Sequence, residues 1–252
     1  MPATDLALSP ECKVVAFVHA KGTSERVPGK NLRILGDRPL ICHAIANALA
    51  AKLVDAVVID SEDDEILRVG KEAGAIPLKR PDELASNETT GDDLAGWQAD
   101  NAPSAILIAQ VVPTSPFILP KSIDKAVYAC SGRTETSAIG MARDKLYRWR
   151  KYGPVESTEV KIVNSQYLTP TRWETTGLYV VSRSWAASNR SRTEWGSVKQ
   201  VWLNKVEAID INTEEDFEFA EIVWRGGMQP HVRLEANYKK KVQQLREDTS
   251  PC

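Results

Sequence analysis

Short apolar segments alternate with longer amphipathic segments along most of the chain. Residues 14–18 form an apolar run, rich in β-branched types, that predicts a buried strand. Residues 38–52 repeat apolar side chains at helical spacing and predict a helix. The same order recurs with a strand over 54–59 and a helix over 63–73, which Gly74 is suited to end. This alternation, with short connections, predicts right-handed parallel crossovers and a doubly wound, mostly parallel α/β sheet.

The second half of the chain extends the same pattern. Further strands are expected at 75–78, 104–112, 136–142, 174–180 and 199–206, and further helices at 89–100, 123–129, 183–189 and from Thr213 onward. The strand over 104–112 is so apolar that it should be central to the sheet. Thr213 and Asp216 have the spacing of a helix N-cap arrangement. We expect a single domain over 1–252, with an insertion at 143–172 and a C-terminal tail at 235–252.

The composition is close to that of an average globular protein, with 42% hydrophobic and 26% charged residues. A formal net charge of −2 gives no support for general nucleic-acid binding, which needs a basic face. The four cysteines are far apart and indicate neither a zinc site nor a disulfide framework. No apolar run approaches the ~18 residues of a membrane span, and the N-terminus has no long apolar core. We therefore expect a cytoplasmic protein without nucleic-acid or membrane partners.

The candidate chemistry begins in the loop that follows the first strand. Residues 19–31 combine two glycines with three cations, Lys21, Arg26 and Lys30. Glycine amides can approach a phosphate closely, and the cations can neutralise its charge. Because open α/β sheets bind ligands at the carboxyl ends of their strands, we interpret this loop as a triphosphate-binding loop. A solvated turn is the alternative, since basic residues are normally exposed, and the spacing fits neither a Walker loop nor Gly-x-Gly-x-x-Gly.

The order Lys-Gly-x-Ser-x-Arg-x-Pro-Gly-Lys-Asn over residues 21–31 resembles the signature of the sugar-activating nucleotidyltransferases. The likeness is greatest to the cytidylyltransferases that make CMP-sialic acid and related CMP-sugars. Segments at 60–66, 80–86, 113–116, 174–180 and 209–212 resemble further motifs of that family in the same order. The resemblance covers about residues 13–223 and implies a Rossmann-like nucleotidyltransferase fold.

The resemblance also implies where CTP binds. Its phosphates are expected at the loop after the first strand. The catalytic residues implied there are the cations Lys21, Arg26 and Lys30, and the smaller residues Gly22 and Ser24 are expected to contact the nucleotide as well. The cytosine base is expected on Asn31 and Arg80, because an amide can serve both donors and acceptors of the base edge. A rigid turn at the same edge of the sheet is formed by Pro113, Thr114 and Ser115.

A magnesium site is expected near Asp210 and Asn212. If this segment is extended, alternate side chains share one face, so both oxygens can point at one cation. In the resembled family two aspartates occupy these positions and hold the magnesium that bridges nucleotide and acceptor. Because Asn212 removes one negative charge, we expect weaker metal binding or a compensating charge on the acceptor.

Three positions depart from the family pattern on the acceptor or metal side, namely Val112, Thr176 and Asn212. A glutamine that contacts the sugar acid is usual at position 112, and asparagine is usual at position 176. Gln110 lies two residues earlier, roughly 7 Å deeper along the strand, and should not substitute unless the strand end is bulged.

The acceptor implied is therefore acidic, first a nonulosonic, sialic-acid-like 2-keto sugar acid. The same chemistry on 3-deoxy-octulosonate or a small phosphonate is an alternative. An alternative of another class is a nucleotide-binding protein that has lost catalysis.

Residues 143–152 mix aromatic and basic side chains. On a near-neutral protein this mixture suits a protein interface better than nucleic acid. In the resembled family the equivalent insertion reaches over the neighbouring subunit and helps to cover its acceptor site. We therefore expect a homodimer in which four cations can face an acidic acceptor: Arg143, Lys145, Arg148 and Arg150.

Overall fold

The computed structural model describes residues 6, 8–133, 136–151, 153–155, 164–188, 190–194 and 198–227. The strands of its main sheet are β1 Val14–His19, β2 Ala56–Ser61, β3 Ile76–Lys79, β4 Leu107–Val111, β5 Ser137–Asp144, β6 Thr171–Ser182 and β7 Val198–Trp202. The helices are α1 Leu40–Leu49, α2 Asp64–Glu72, α3 Gly91–Asn101, α4 Pro120–Cys130, α5 Arg183–Ala186 and α6 Glu214–Arg225. The expected C-terminal tail at 235–252 lies outside the described residues.

The strands of the main sheet follow the order β7-β5-β6-β4-β1-β2-β3. Every neighbouring pair is parallel except the two that involve β6, which runs antiparallel to β4 and to β5. The central strands β1 and β4 are buried along almost their whole length, which is why they are continuous apolar runs in the sequence. The expected mostly parallel, doubly wound sheet is confirmed.

Apolar side chains from both faces of the sheet form two separate cores. Alternate residues of β1 contribute to opposite cores, because successive side chains of a strand point to opposite faces. Ala16 and Val18 pack with α1, α2 and α4, whereas Val15 and Phe17 pack with α3 and α5. Helices therefore cover both faces and leave the ends of the strands as the place where a ligand can enter.

A third apolar cluster joins the β1 loop to the last described helix. Phe217 and Val223 of α6 pack there with Val27 of the loop and with Leu35 and Leu40. This packing brings the segment before α6 next to residues that lie nearly two hundred positions earlier in the sequence. Two distant parts of the chain are thereby placed at one edge of the sheet.

Local hydrogen bonds explain where several elements begin and end. The predicted cap at Thr213 is confirmed, because its side chain accepts from the Asp216 amide while the Asp216 carboxylate accepts from the Thr213 amide. The same reciprocal pair, Thr90 and Asp93, begins α3. Gly74 follows α2 with φ of 99°, a left-handed conformation that glycine adopts readily.

Some predicted boundaries differ from the structure for local reasons. The helix predicted over 38–52 spans Leu40–Leu49, because Arg38–Pro39 pairs with Ile34–Leu35 in a two-stranded ribbon. The strand predicted over 174–180 is part of the longer β6, whose pairing with β5 shifts register between Glu174 and Tyr179. This irregularity lies at the edge of the sheet where the candidate site is found.

Between β5 and β6 the chain leaves the main sheet, at the position where the insertion is expected. This excursion includes the paired short strands Trp149–Arg150 and Gly153–Pro154 and the 3₁₀ helix Ser165–Tyr167. Among the helices of the described residues, none has the length and apolar character needed to cross a membrane.

Gly36 provides a test of how the ribbon packs on α6. Its φ is 68°, and a Cβ added to it would lie 2.0 Å from the Trp224 indole. We predict that Gly36→Ala lowers the free energy of unfolding by about 3 kcal/mol, from left-handed strain and overpacking together. Urea denaturation followed by circular dichroism measures this change.

Gly132→Ala is the matched control. Gly132 has φ of 71°, but a Cβ there would meet no atom within 4 Å, so this variant should lose only about 1 kcal/mol from backbone strain. Equal losses in the two variants would contradict the close packing of Gly36 on Trp224.

Candidate active site

Two adjoining clefts open where the parallel strands β1 and β4 end. The first cleft has a volume of about 430 Å³ and the second of about 460 Å³. Their walls have several residues in common, so the two clefts form one groove. The shared residues are His19, Ala20, Lys21, Asn87 and Val112. A groove at the carboxyl ends of parallel strands is the usual ligand site of an open α/β sheet.

The first cleft is formed by the loop after β1 and the turn after β4. Most of the site residues predicted from the sequence line it: Lys21, Ser24, Arg26, Lys30, Asn31, Pro113 and Thr114. Arg80 lines the second cleft instead, and Ser115 is buried beneath the turn. Gly22, Asp210 and Asn212 are not among the residues that line the first cleft.

Lys21 and Arg26 are each held by an uncharged oxygen. The Lys21 Nζ donates to Asn87 Oδ1 at 2.6 Å, and the Arg26 Nη2 donates to Asn212 Oδ1 at 2.8 Å. These acceptors orient the cations without cancelling their charge. The first cleft is therefore suited to a ligand that carries several negative charges.

Lys30 joins the β1 loop to the segment before α6. Its side chain is only 8% exposed, and its Nζ donates to the Ile211 main-chain oxygen at 2.8 Å. The pKa of Lys30 is lowered, mainly by burial and further by the charge of Arg26. The negative charges of Asp210 and Asp216 oppose this shift, and Asp210 has the larger effect of the two. The structure thus places Lys30 and Asp210 close together, as the sequence predicted.

Hydrogen bonds hold the β1 loop in shape. The Gly22 amide donates to Glu62 Oε1 at 2.7 Å, and the Asn31 Nδ2 donates to the Lys21 main-chain oxygen at 2.8 Å. A Cβ at Gly22 would lie 2.6 Å from Asp63 Oδ2, so glycine is required by close packing. Glu62 accepts the hydrogen bond of the Gly22 amide in this structure, and the expected contact of Gly22 with a phosphate stays a prediction.

Arg80 supports the same loop from inside the protein. It is 2% exposed, and its Nη2 donates to the Ala20 main-chain oxygen and, at 3.0 Å, to Glu62 Oε2. Its Nη1 lies 3.4 Å from Asp60 Oδ1. Burial raises the pKa of Asp60, while the charge of Arg80 opposes the shift. The observed contacts of Arg80 position the loop, and the contact with a base stays a prediction.

Asp210 and Asn212 contact each other, but they are not on a strand. The segment between β7 and α6 contains no strand at these residues, so the predicted alternation does not explain their contact. The Asn212 Nδ2 donates to Asp210 Oδ2 at 2.6 Å, and the Thr176 Oγ1 donates to the same oxygen at 2.9 Å. Asp210 Oδ1 is buried and has no hydrogen-bond partner among the described residues.

Thr176 has an unusual backbone conformation. Its φ is 57°, which a β-branched residue rarely adopts, and it lies in the irregular part of β6. This conformation places its hydroxyl on Asp210. Backbone strain of this kind often accompanies functional sites.

The second cleft contains polar side chains that the sequence interpretation did not assign to the site. Glu174 and Tyr179 of β6 line it, and the Tyr179 hydroxyl donates to Glu174 Oε1. Burial and this hydrogen bond raise the pKa of Tyr179. Arg192 also lines the cleft. Burial, with help from Arg192 and then Arg80, lowers the pKa of His19 to about 3, so His19 is neutral at ordinary pH.

Three described cations of the insertion, Arg143, Lys145 and Arg148, line neither cleft of this chain. The Lys145 Nζ donates to the Gln166 main-chain oxygen, and the Arg143 guanidinium lies 5.1 Å from the centre of the Trp202 ring. Arg148 is exposed, and the side chain of Arg150 lies outside the described residues. Their expected contact with the acceptor of a partner subunit stays a prediction.

The mostly parallel sheet and the cationic cleft at its carboxyl edge define a nucleotide-binding α/β protein. Its particular family follows from comparison with known sequences. Residues 15–208 match the sequence model of the family described as Cytidylyltransferase. The chain belongs to the cytidylyltransferase family.

Two relatives illustrate the range of similarity. The CMP-N,N'-diacetyllegionaminic acid synthase of Legionella pneumophila is 34% identical over 122 residues, which are 46% of this chain and 52% of that protein. The N-acylneuraminate cytidylyltransferase of Oncorhynchus mykiss is 24% identical over 213 residues, 82% of this chain and 49% of that protein. The chain therefore spans about half the length of these curated relatives.

The fold is shared with a solved cytidylyltransferase. The structure of CMP:2-keto-3-deoxy-manno-octonic acid synthetase complexed with CTP superposes with a TM-score of 0.64 at 14% identity. The match covers 85% of this chain and 99% of the other. At this identity the likeness shows a common fold.

Glu62 offers a test of what holds the β1 loop. We predict that Glu62→Ala speeds amide hydrogen exchange in residues 19–27 roughly 10-fold, because the Gly22 amide and Arg80 both lose their acceptor. Exchange measured by mass spectrometry reports this change. Glu65→Ala is the control, since Glu65 pairs with Arg68 on the exposed face of α2. Unchanged exchange in Glu62→Ala would contradict this role.

Proposed function

We propose that this protein transfers CMP from CTP to an acidic 2-keto sugar acid of the sialic-acid type and releases pyrophosphate. The observation that carries the proposal is the first cleft, where the cations Lys21, Arg26 and Lys30 surround one space and hydrogen-bond to uncharged oxygens. Family membership supports cytidine chemistry, and the names of the two relatives support this acceptor type.

In this proposal the phosphates of CTP lie against Lys21, Ser24, Arg26 and Lys30. The base lies against Asn31, whose Nδ2 is already bonded to the chain, so its Oδ1 is left to accept from the cytosine amino group. Arg80 would contact the base from the floor of the groove. The turn at Pro113 and Thr114 closes the first cleft on the opposite side.

The residues present fit a magnesium ion that is held by only one or two protein ligands. Among the described residues no three acidic, histidine or cysteine side chains converge on one point. Mg²⁺ nevertheless uses one or two carboxylates together with phosphate oxygens and waters. Asp210 Oδ1, buried without a partner, would hold the ion, and Asn212 could add its carbonyl after turning its amide. Bound there, Mg²⁺ would neutralise charge on the α-phosphate.

The reaction then needs no covalent intermediate with the protein. A hydroxyl oxygen of the acceptor in the second cleft attacks the α-phosphorus in line, and its proton passes to water. The bond from this phosphorus to the bridging oxygen breaks, and pyrophosphate leaves. Lys30 and Lys21 stabilise the charge that develops on the phosphates, while the two clefts fix the reactants in a common groove.

Two alternatives are kept because of specific observations. The same chemistry on 3-deoxy-octulosonate or a small phosphonate fits the departures at Val112 and Asn212. A protein that binds CTP without catalysis fits the single carboxylate at the metal position, Asp210. Pyrophosphate release measured with a panel of acceptors distinguishes the first alternative from the proposed sialic-acid-type acceptor. Magnesium-independent CTP binding without pyrophosphate release in the wild type would favour the second.

We further propose that the protein is a cytoplasmic homodimer that pairs through the excursion between β5 and β6. Large apolar side chains are exposed on this excursion, among them Leu146, Trp149 and Tyr167, at 56%, 68% and 73% of their surfaces. Such a concentration of exposed aromatic residues is typical of a protein interface.

Lys30 tests the proposed chemistry. We predict that Lys30→Ala lowers the turnover number with CTP by ~100-fold or more, because one charge-stabilising donor is removed. Pyrophosphate release in a coupled assay measures it. Lys125→Ala, at an exposed position of α4, should keep wild-type turnover. Near-normal turnover of Lys30→Ala would show that the phosphates do not bind in the first cleft.

Trp149 tests the proposed dimer. We predict that the wild type has the mass of a dimer in size-exclusion chromatography with light scattering. Trp149→Glu should shift it to the monomer, because a charge would be buried in an apolar contact. Tyr128→Glu is the control, since Tyr128 is 78% exposed on α4, away from the excursion. A dimer that persists in Trp149→Glu would place the interface elsewhere.

A further inference from the structure

The second cleft contains a fixed guanidinium that the proposed function has not used. Arg192 has a side chain that is 17% exposed, and its Nη1 donates to Gln110 Oε1. Its Nε lies 3.3 Å from Asp92 Oδ1, which also accepts from the Arg192 main-chain amide at 3.1 Å. The guanidinium carbon is 3.7 Å from the centre of the Tyr179 ring. Three neighbours thus fix both the position and the plane of this cation.

The side chain of Gln110 uses its hydrogen bonds inside the protein, one of them to hold Arg192. It is fully buried, and its Nε2 donates to the Gly91 main-chain oxygen at 3.1 Å and to Gln98 Oε1 at 3.0 Å. Its Oε1 is occupied by Arg192. Gln110 is not among the residues that line either cleft, so it cannot itself contact a ligand there.

The structure makes room for the guanidinium at the start of α3. A Cβ added to Gly91 would lie 2.0 Å from Arg192 Nη2, so a larger residue would displace it. The hydrogen bonds described for Arg192 use Nη1 and the main-chain amide, which leaves Nη2 and one Nη1 proton for a ligand. Among the described residues, no acceptor satisfies Arg192 Nη2, so this side chain presents donors in a cleft it lines.

An apolar residue, Val112, follows β4 at the edge of the sheet where the clefts open. Val112 lines both clefts. The resemblance described from the sequence implies a glutamine that contacts the sugar acid at this position, and valine cannot make that polar contact. Arg192 lines the second cleft together with Val112. Glu174, the acid of the second cleft, is bonded to the Tyr179 hydroxyl.

We infer that Arg192 binds the carboxylate of the acceptor and replaces the missing contact at position 112. This inference rests on the proposed function and names the acceptor-selecting residue of the second cleft. A planar guanidinium stacked on an aromatic ring is well suited to bind a carboxylate. His19, whose pKa is lowered by burial and then by Arg192 and Arg80, is neutral and brings no positive charge of its own to the carboxylate.

The experiment compares acids with their methyl esters. N-acetylneuraminate and 3-deoxy-octulosonate, each as the free acid and as the methyl ester, are the probes, with CTP as co-substrate. The wild type should prefer the acid in kcat/KM by ~30-fold or more, since a paired charge is lost in the ester. Arg192→Gln should lower kcat/KM for the acid ~30-fold, leave that for the ester unchanged and change the KM for CTP by less than about 3-fold.

Arg190→Gln is the matched control. Arg190 lies two residues earlier, packs 3.7 Å from the centre of the Trp185 ring and forms an ion pair with Glu194. It is not among the residues that line either cleft. This variant should keep the wild-type preference for the acid. Arg192→Lys, which keeps the charge but loses the planar fork, should give an intermediate preference and serves if Arg192→Gln does not fold.

The outcomes separate this inference from the proposed function. Pyrophosphate release with an unchanged acid preference in the Arg192 variants would overturn the inference and leave the function standing. If the wild type releases no pyrophosphate with any probe, the proposed function fails. Calorimetric titration of the same acids and esters with CTP present then decides: acid-selective binding that Arg192→Gln abolishes supports the inference, and its absence overturns it.

Discussion

The hydrogen bond from the buried Lys30 ammonium to the Ile211 main-chain oxygen is the interaction on which the site depends. It joins a loop that follows the first strand to a segment that precedes the last described helix. A buried cation needs acceptors and nearby negative charge, and both are supplied by this distant segment. The packing of α6 against Val27 and Leu40 brings the two partners within reach. This contact fixes Lys30, which lines the first cleft, against a segment that does not itself line the cleft.

The antiparallel strand β6 gives the groove its second half. In a sheet that is otherwise parallel, β6 enters at the carboxyl edge, so its first residues pair with the end of β5 and Leu178 pairs with Val111 at the end of β4. The register shift after Glu174 turns Thr176 toward Asp210 and leaves Glu174 and Tyr179 in the second cleft. One reversed and irregular strand therefore supplies a polar contact to Asp210 and two polar side chains to the second cleft.

The sequence predicted the parts of the molecule that local patterns determine. The order of strands and helices, the cap at Thr213 and the loop that carries Lys21 to Lys30 were predictable from local patterns, whereas the proximity of Lys30 and Asp210 was implied only by the resemblance to a family. Apolar periodicity and turn residues encode elements, and a motif encodes a loop with its cations. The pattern did not show that the Gly22 amide donates to Glu62, since a local pattern does not say which distant carboxylate will accept an amide.

The remaining site residues were not predictable because they come from unrelated segments. Glu62, Asn87 and Arg192 converge on the groove from the β2–α2 connection, the segment before α3 and the segment after α5. Glu62 follows β2 within the motif-like segment 60–66, but that pattern did not show that its carboxylate would hold the loop after β1, and no motif marked Asn87 or Arg192. Gln110 illustrates the same limit: its spacing showed that it would miss the cleft, but only the fold shows that it holds Arg192.

Thr176 shows that the groove reduces the stability of the fold. A threonine at φ of 57° is less stable by about 1–2 kcal/mol than the same residue in an extended conformation, and glycine or asparagine would avoid much of this loss. Its hydroxyl, however, donates a hydrogen bond to the Asp210 carboxylate. The backbone at Thr176 is thus a compromise between a relaxed conformation and the placement of one oxygen atom. At the rim of the groove, the geometry of the site is obtained at a cost in folding stability.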